Sequence, residues 1–254
     1  MPRYGQASIS FGPPLTRMVK YLVIVTSAVF LLTYPQTPIR EWAFDYFSLR
    51  PYDLTHLVPL IPGVSLPLIW EPVTYLFLHG GLWHVILNLL FLWMFGSDLE
   101  QLWGPRRFLY YFFLTGIGAG IVDVLLRVVL QSNVKVPTVG NSGAVYGILL
   151  AYGILFPDRP IFLWLVIPVK AKWFVLGMGV IEFLSSINPA ETSVSHFAHL
   201  GGMLFGFLYL RGSRIPSQWQ LRYQEWRRAR LRRKFELYMR HQDKRKDDAG
   251  RWIN

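Results

Sequence analysis

The 254-residue sequence contains no cysteine. Disulfides, a thiol nucleophile and thiolate metal sites are therefore excluded within it, and its redox compartment is left undetermined. Charged residues are also scarce, at 16%, whereas hydrophobic residues make up 52% and the mean hydropathy is +0.30. This composition predicts a polytopic membrane protein.

Six apolar segments divide the chain, and we expect each of them to be a membrane-spanning helix. They cover residues 18–34, 72–95, 108–130, 142–156, 173–186 and 195–210. The predicted fold class is an all-α membrane protein, with a six-helix bundle over residues 18–212. A polar lead at 1–17 precedes the bundle and a basic tail at 213–254 follows it.

Two connections between these segments have compositions of their own. The loop at 35–71 is rich in proline and aromatic residues, so we expect it to fold back at the outer interface. The segment 161–169 is β-branched and flanked by prolines, which favours an extended structure near the inner surface.

Basic residues indicate the orientation in the membrane. They precede the first apolar segment and recur at 106–107 and 170–172, so the positive-inside rule predicts that both termini are cytoplasmic. The first apolar run has no small-residue cleavage site, which predicts an uncleaved signal anchor. The short N-terminal lead and the small six-helix core favour a prokaryotic plasma membrane, with an organelle membrane as the alternative.

The net charge of +11 is concentrated in the tail, between residues 222 and 234. A basic tail on a membrane protein contacts anionic lipid more often than nucleic acid, so we expect a lipid partner and no nucleic-acid partner. Trp219, Tyr223 and Trp226 share one helical face, which predicts an amphipathic helix on the inner leaflet. A solvated tail is the alternative.

A single serine between two glycines opens the fourth apolar segment. Gly140 lacks a Cβ, so a substrate backbone could approach closely there. Ser142 would lie at a helix N-terminus, where N–H groups and the dipole favour a developing oxyanion. The helix is short, ~22 Å against a ~30 Å membrane core, which would leave Ser142 below the surface. The alternative is a Gly-Ser turn that only opens a membrane helix.

Small residues recur every four positions on the fourth and sixth helices, which lets two helices approach closely. They are Gly143, Gly147 and Ala151 on one helix, and Ala198, Gly202 and Gly206 on the other. If these stripes face each other, Ser142 and His199 fall on the same flank, with Tyr146 one turn deeper. This predicts a nucleophile and a general base. One alternative is that Ser142 and His199 are only packing residues between the helices. Another is that His196 is the base, although its place near the helix end predicts a water-exposed position.

His84 and Asn88 are four residues apart on the second helix and project from one face. Two donors aimed at the serine would suit an oxyanion hole together with the Ser142 N–H. A helix–helix hydrogen bond is the alternative. A metal site built on the histidines is disfavoured, because the spacing of His79 and His84 separates them, no H-E-x-x-H is present and no nearby carboxylate completes a ligand set.

Four motifs in this order resemble the rhomboid family of intramembrane serine proteases. They are H-x-x-x-N at 84–88, G-x-x-x-E-x-x-x-G at 96–104, G-x-S-G at 140–143 and A-H-x-G-G at 198–202. The resemblance covers about Met18 to Gly212. The family's Trp-Arg pair in the first loop is replaced by Arg40-Glu41-Trp42 in a different arrangement.

The resemblance implies a six-helix rhomboid-like bundle with a Ser142–His199 dyad and no third acidic member. It also implies that His84 and Asn88 stabilise the oxyanion, that Tyr146 stacks on His199, and that Gly140 and Gly143 support the site. The implied reaction is cleavage of single-span membrane proteins through an acyl-enzyme, without metal or cofactor. A catalytically silent rhomboid-like protein that binds transmembrane helices and affects their trafficking or degradation is one alternative. A polar-solute or ion channel is another.

Overall fold

The computed structural model describes residues 13–34, 38–130, 134–163, 167–187 and 195–212. Helices dominate this part of the chain, and two short antiparallel hairpins accompany them. The predicted tail at 213–254, with its amphipathic helix, lies outside the described residues, as does most of the predicted lead.

The longer helices are α1 Arg17–Thr33, α5 Leu82–Phe91, α7 Pro105–Val129, α8 Ser142–Leu155, α9 Ala171–Ile187 and α10 His196–Gly212. The other helices are α2 Pro38–Phe47, α3 Pro51–Thr55, α4 Glu71–Thr74 and α6 Ser97–Trp103. The strands are β1 Val58–Ile61 and β2 Val64–Leu66, and β3 Pro160–Leu163 and β4 Ile167–Lys170. Val58 pairs with Leu66, and Pro160 pairs with Lys170.

Five of the six predicted segments are helices at the expected positions, but the second differs. After α4 the chain forms a 3₁₀ turn, runs extended to Gly81 and begins α5 only at Leu82. His79 therefore precedes the helix instead of lying on it. A single π turn at Leu92–Gly96 then joins α5 to α6, so residues 97–103, which lie beyond the second predicted segment, are also helical. The helix ends at Gly104, whose φ of 81° suits glycine.

Among the described residues, two helical stretches are long and apolar enough to cross a membrane. They are Leu82–Trp103 and Pro105–Val129, whereas Ser142–Leu155 is apolar but shorter. Length and composition thus support a membrane location for the middle of the chain.

The loop between α1 and α5 is folded, as its aromatic content predicted. The indole of Trp70 donates to the Tyr46 carbonyl over 2.7 Å. Leu49 exchanges two backbone hydrogen bonds of 2.9 Å with Thr138, just upstream of α8. This loop therefore braces the segment that leads to Ser142.

Glu100 of α6 holds the start of α1. Its carboxylate accepts hydrogen bonds from the Thr16 hydroxyl and from the backbone N–H groups of Met18 and Val19. These N–H groups are at a helix N-terminus, where an anion is favourable. Glu100, which is the glutamate of the 96–104 motif, is buried. Its contacts with α1 therefore give this motif residue a structural role.

The two small-residue stripes of α8 and α10 face each other, which is the condition under which Ser142 and His199 were expected to share a flank. A Cβ on Gly202 would lie 1.9 Å from the Gly143 carbonyl oxygen, and one on Gly206 would lie 3.4 Å from the Gly147 Cα. Contacts therefore advance in the same direction along both helices, which makes the pair parallel. Helix α7 also joins them, because a Cβ on Gly143 would lie 2.3 Å from that of Ala119.

Replacing Gly202 by alanine tests this contact. We expect Gly202→Ala to lower the free energy of unfolding by about 1–3 kcal/mol, because the added methyl group overlaps a backbone carbonyl of α8. Thermal unfolding in detergent measures the effect. Gly177→Ala is the matched control, since its Cβ would meet nothing within 4 Å. Equal melting temperatures for the two variants would contradict the close contact.

Glu71, in the loop, predicts a pH dependence of stability. Burial raises its pKa from 4.5 to about 8, with a further increase from nearby Asp53, while the Arg50 backbone hydrogen bond opposes the shift. The folded state therefore holds this proton more tightly than the unfolded state does. The corresponding stabilisation is complete below about pH 4.5 and is lost as the pH rises to about 8.

We expect the melting temperature of the wild type to fall more steeply between about pH 5 and about pH 8 than that of Glu71→Gln, which mimics the neutral acid. Thermal unfolding across that range compares the two slopes directly. Parallel slopes would show that Glu71 is already ionised in the folded protein.

Candidate active site

Ser142 and His199 meet where α8 and α10 begin. Ser142 is the first residue of α8, and His199 is the fourth residue of α10. The His199 Nε2 atom lies 2.8 Å from the Ser142 Oγ atom, which is a hydrogen-bond distance. The serine is half-buried and the histidine is buried. A neutral imidazole in this position can accept the hydroxyl proton.

Tyr146 fixes the orientation of the imidazole. Its ring stacks on that of His199 with centroids 4.2 Å apart and planes 14° from parallel. Tyr146 lies one helical turn beyond Ser142, so both side chains emerge from the same side of α8. The structure thus brings together the serine, the histidine and the tyrosine that the sequence analysis placed on one flank.

Gly140 has a reason for its identity that the sequence analysis missed. Its φ is 108°, and its N–H donates to the Tyr75 carbonyl over 2.9 Å. A Cβ there would lie 2.7 Å from the His84 ring atoms Cε1 and Nε2. The missing side chain therefore makes room for His84, in addition to any substrate backbone.

His84 and Asn88 lie on α5, next to the turn that carries Ser142. The Asn88 amide donates to the His84 carbonyl of its own helix over 2.9 Å. The His79 and His84 rings lie 4.9 Å apart, and His79 and Asn141 are fully buried. Within the described residues, neither the Asn141 amide nor the His79 Nε2 atom has a partner of good hydrogen-bond geometry. A buried polar region therefore adjoins the serine.

An acidic side chain that the sequence analysis did not consider also reaches the site. Glu182 of α9 is buried, and its Oε1 atom accepts a hydrogen bond from the Tyr146 hydroxyl. Its Oε2 atom lies 3.0 Å from the His199 Nδ1 atom, although the ring N–H does not point directly at it. A lone acid inside an apolar segment was the available signal, because such a residue is costly in a membrane.

His196 faces Glu182 rather than Ser142. Its Nδ1 atom lies 2.6 Å from the Glu182 Oε2 atom, and its side chain is 17% exposed. Since His199 is the residue that contacts the serine hydroxyl, the geometry favours His199 over His196 as the base.

Glu182, His196 and His199 are also the one set of three possible metal ligands in the described part of the chain, with donor atoms within 4.8 Å of one another. The expectation that no carboxylate lies near the histidines was therefore wrong. The carboxylate oxygen already faces the two histidine nitrogens at 2.6 and 3.0 Å. A bound ion would have to lie about 2 Å from each donor and replace these contacts.

A second buried acid organises the approaches to both helices. Asp123 of α7 pairs with Arg127 at 3.0 Å. Its carboxylate also accepts hydrogen bonds from the hydroxyls of Thr138, at 2.7 Å, and Ser195. Thr138 and Ser195 lie four residues before Ser142 and His199, respectively. Asp123 thus connects the segments that deliver the two site residues.

The rhomboid domain family model matches residues 66–212, which is more than half of the chain. This region contains all of the site residues described above.

Three relatives show how far the similarity extends. Rhomboid protein 1, mitochondrial, of Saccharomyces cerevisiae is 31% identical over 140 residues, 52% of this chain and 38% of that protein. Rhomboid-like protein 16, chloroplastic, of Arabidopsis thaliana is 28% identical over 199 residues, 72% of this chain and 58% of that protein. Rhomboid protease GluP of Bacillus subtilis is 26% identical over 150 residues, 58% of this chain and 27% of that protein.

The aligned regions thus span 27% to 58% of the length of these relatives. Their names include mitochondrial and chloroplastic proteins beside a bacterial one, so they give no support to the predicted prokaryotic membrane. The domain match and these alignments show that the chain belongs to the rhomboid family of integral membrane proteins.

Proposed function

We propose that this chain is an intramembrane serine endopeptidase that cleaves transmembrane segments of other membrane proteins. The 2.8 Å contact between the Ser142 Oγ atom and the His199 Nε2 atom is the observation that supports the proposal most strongly. A relative that carries the name rhomboid protease adds to it.

In the proposed mechanism, the Ser142 Oγ atom attacks a backbone carbonyl carbon while its proton passes to the His199 Nε2 atom. The resulting oxyanion is held by His84, Asn88 and the Ser142 N–H at the start of α8. His199 then gives the proton to the leaving amine, which breaks the peptide bond and leaves an acyl-enzyme. Water, deprotonated by His199, hydrolyses the ester. These steps require neither a metal nor a cofactor.

The proposed arrangement in the membrane has six spans, formed by α1, by α5 with α6, and by α7, α8, α9 and α10. Helix α8 has 14 residues, so it is ~21 Å long and spans less than the ~30 Å membrane core. Ser142 would then lie below the outer surface in a recess open to water. Both termini would be cytoplasmic, with the basic tail on anionic lipid, and the substrates would be single-span proteins.

Replacing the nucleophile tests the activity. Purified wild type should react with a fluorescent fluorophosphonate and cleave a model single-span membrane protein, whereas Ser142→Ala should do neither, because no nucleophile remains. Gel fluorescence and product analysis report both results. Ser186→Ala is the control, since the Ser186 hydroxyl donates to the carbonyl of Phe183 on its own helix and, among the described residues, not to the site.

Substrate binding without labelling or cleavage by the wild type would contradict the protease and support the silent rhomboid-like protein. Solute flux through liposomes, with neither labelling nor binding, would support a channel instead.

The oxyanion donors should affect the chemical step. We expect His84→Ala and Asn88→Ala each to lower kcat about 100-fold with little change in KM, because the lost donors act only on charge that develops in the transition state. Steady-state cleavage of the model substrate separates the two constants. A rise in KM at constant kcat would assign these residues to substrate binding.

A further inference from the structure

We propose that Glu182 is a positioning residue for His199, so that a buried carboxylate supports the serine–histidine pair from α9. This inference rests on the proposed proteolysis and assigns a third side chain to it. The Glu182 Oε2 atom lies 3.0 Å from the His199 Nδ1 atom, on the opposite side of the ring from Ser142.

The cost of burying this acid indicates that it has a specific task. Helix α9 is apolar, and of its 17 residues only Ala171, Val175 and Glu182 are buried. A carboxylate inside a membrane domain is expensive unless donors or positive charge surround it. Here Tyr146 and His196 donate hydrogen bonds to the carboxylate and the His199 Nδ1 atom lies 3.0 Å from it, and all three residues are on the two helices that form the site.

The position of the carboxylate suits the proton transfer. A proton on the His199 Nδ1 atom, facing Glu182, leaves the Nε2 lone pair directed at the Ser142 hydroxyl. When Nε2 takes the serine proton, the ring becomes a cation 3.0 Å from a negative charge. Because the N–H does not point directly at the oxygen, we infer that this charge stabilisation contributes more than hydrogen-bond alignment.

Tyr146 connects the carboxylate to the ring it supports. Its aromatic face stacks on His199, and its hydroxyl donates to the Glu182 Oε1 atom. One side chain therefore fixes both the plane of the imidazole and the position of the acid. This double contact explains why tyrosine rather than phenylalanine is useful at this site.

Other charged groups also affect the ring. His196, on the same helix, shares the Glu182 Oε2 atom, and Tyr146 of α8 covers the ring face. His84 of α5 interacts electrostatically with His199, and Asp123 of α7 contacts Ser195 one turn before it. Glu182 is the acid among these groups that approaches the Nδ1 atom, so its removal should have a distinct effect on pH dependence.

The test compares Glu182→Gln and Glu182→Asp with the wild type in full-length protein. We expect Glu182→Gln to lower kcat for a model single-span membrane protein about 10- to 100-fold at nearly constant KM, because the carboxylate acts on the protonated ring. Glu182→Asp, which keeps the charge, should recover part of the loss.

The pH profile of fluorophosphonate labelling, measured from about pH 5 to about pH 9, separates positioning from packing. Without the carboxylate the protonated ring is less stable, so the acidic limb of the profile should move to lower pH in Glu182→Gln. Glu100→Gln is the control, because Glu100 is a buried acid that holds the start of α1. This variant should have a lower melting temperature than the wild type, with the acidic limb of its pH profile unmoved.

An unchanged kcat and profile in Glu182→Gln would overturn the proposal. So would a lower melting temperature with an unmoved acidic limb, which would make Glu182 a packing residue of α9. Zinc inhibition of the wild type that disappears in Glu182→Gln, without a change in kcat in the presence of a chelator, would instead identify a metal site. Absence of Ser142-dependent labelling in the wild type would overturn the proposed function itself, and this proposal with it.

Discussion

The contact between α8 and α10, where neither helix presents a side chain, is the constraint on which the site depends. Gly202 lies against the carbonyl of Gly143 so closely that a methyl group would overlap it. Because this contact fixes both the distance and the register of the two helices, the residues that flank it have little freedom. Ser142 and His199 are those residues, and their hydrogen bond follows from the backbone packing beneath it.

Buried carboxylates then secure the elements around this helix pair. Asp123 ties together the segments that precede α8 and α10, Glu182 joins α9 to both helices, and Glu100 holds the start of α1. Each acid is met by hydroxyl, imidazole, guanidinium or backbone N–H groups, which offsets part of the cost of burial. A domain with few charged residues thus places several of them where helices must meet.

The sequence predicted the helices and the Ser142–His199 flank because hydropathy and four-residue spacing are local patterns that survive folding. It did not predict the break before α5, where Gly80 and Gly81 interrupt an otherwise apolar run. It also did not reveal Ala119 of α7 against Gly143, because the small residues at 116–120 favour close packing of α7 but do not identify the helix that it contacts. It did not predict the role of Glu182, because the partners of this residue lie on α8 and α10 and no local spacing indicates them, although a lone acid in the apolar α9 is a visible signal.

Peptide mapping by mass spectrometry after reaction with a fluorophosphonate tests the central claim most directly. The account predicts a single covalent adduct, on the Oγ atom of Ser142, and loss of that adduct when His199 is replaced by alanine. An adduct on another serine, or one on Ser142 that forms equally fast without His199, would contradict it.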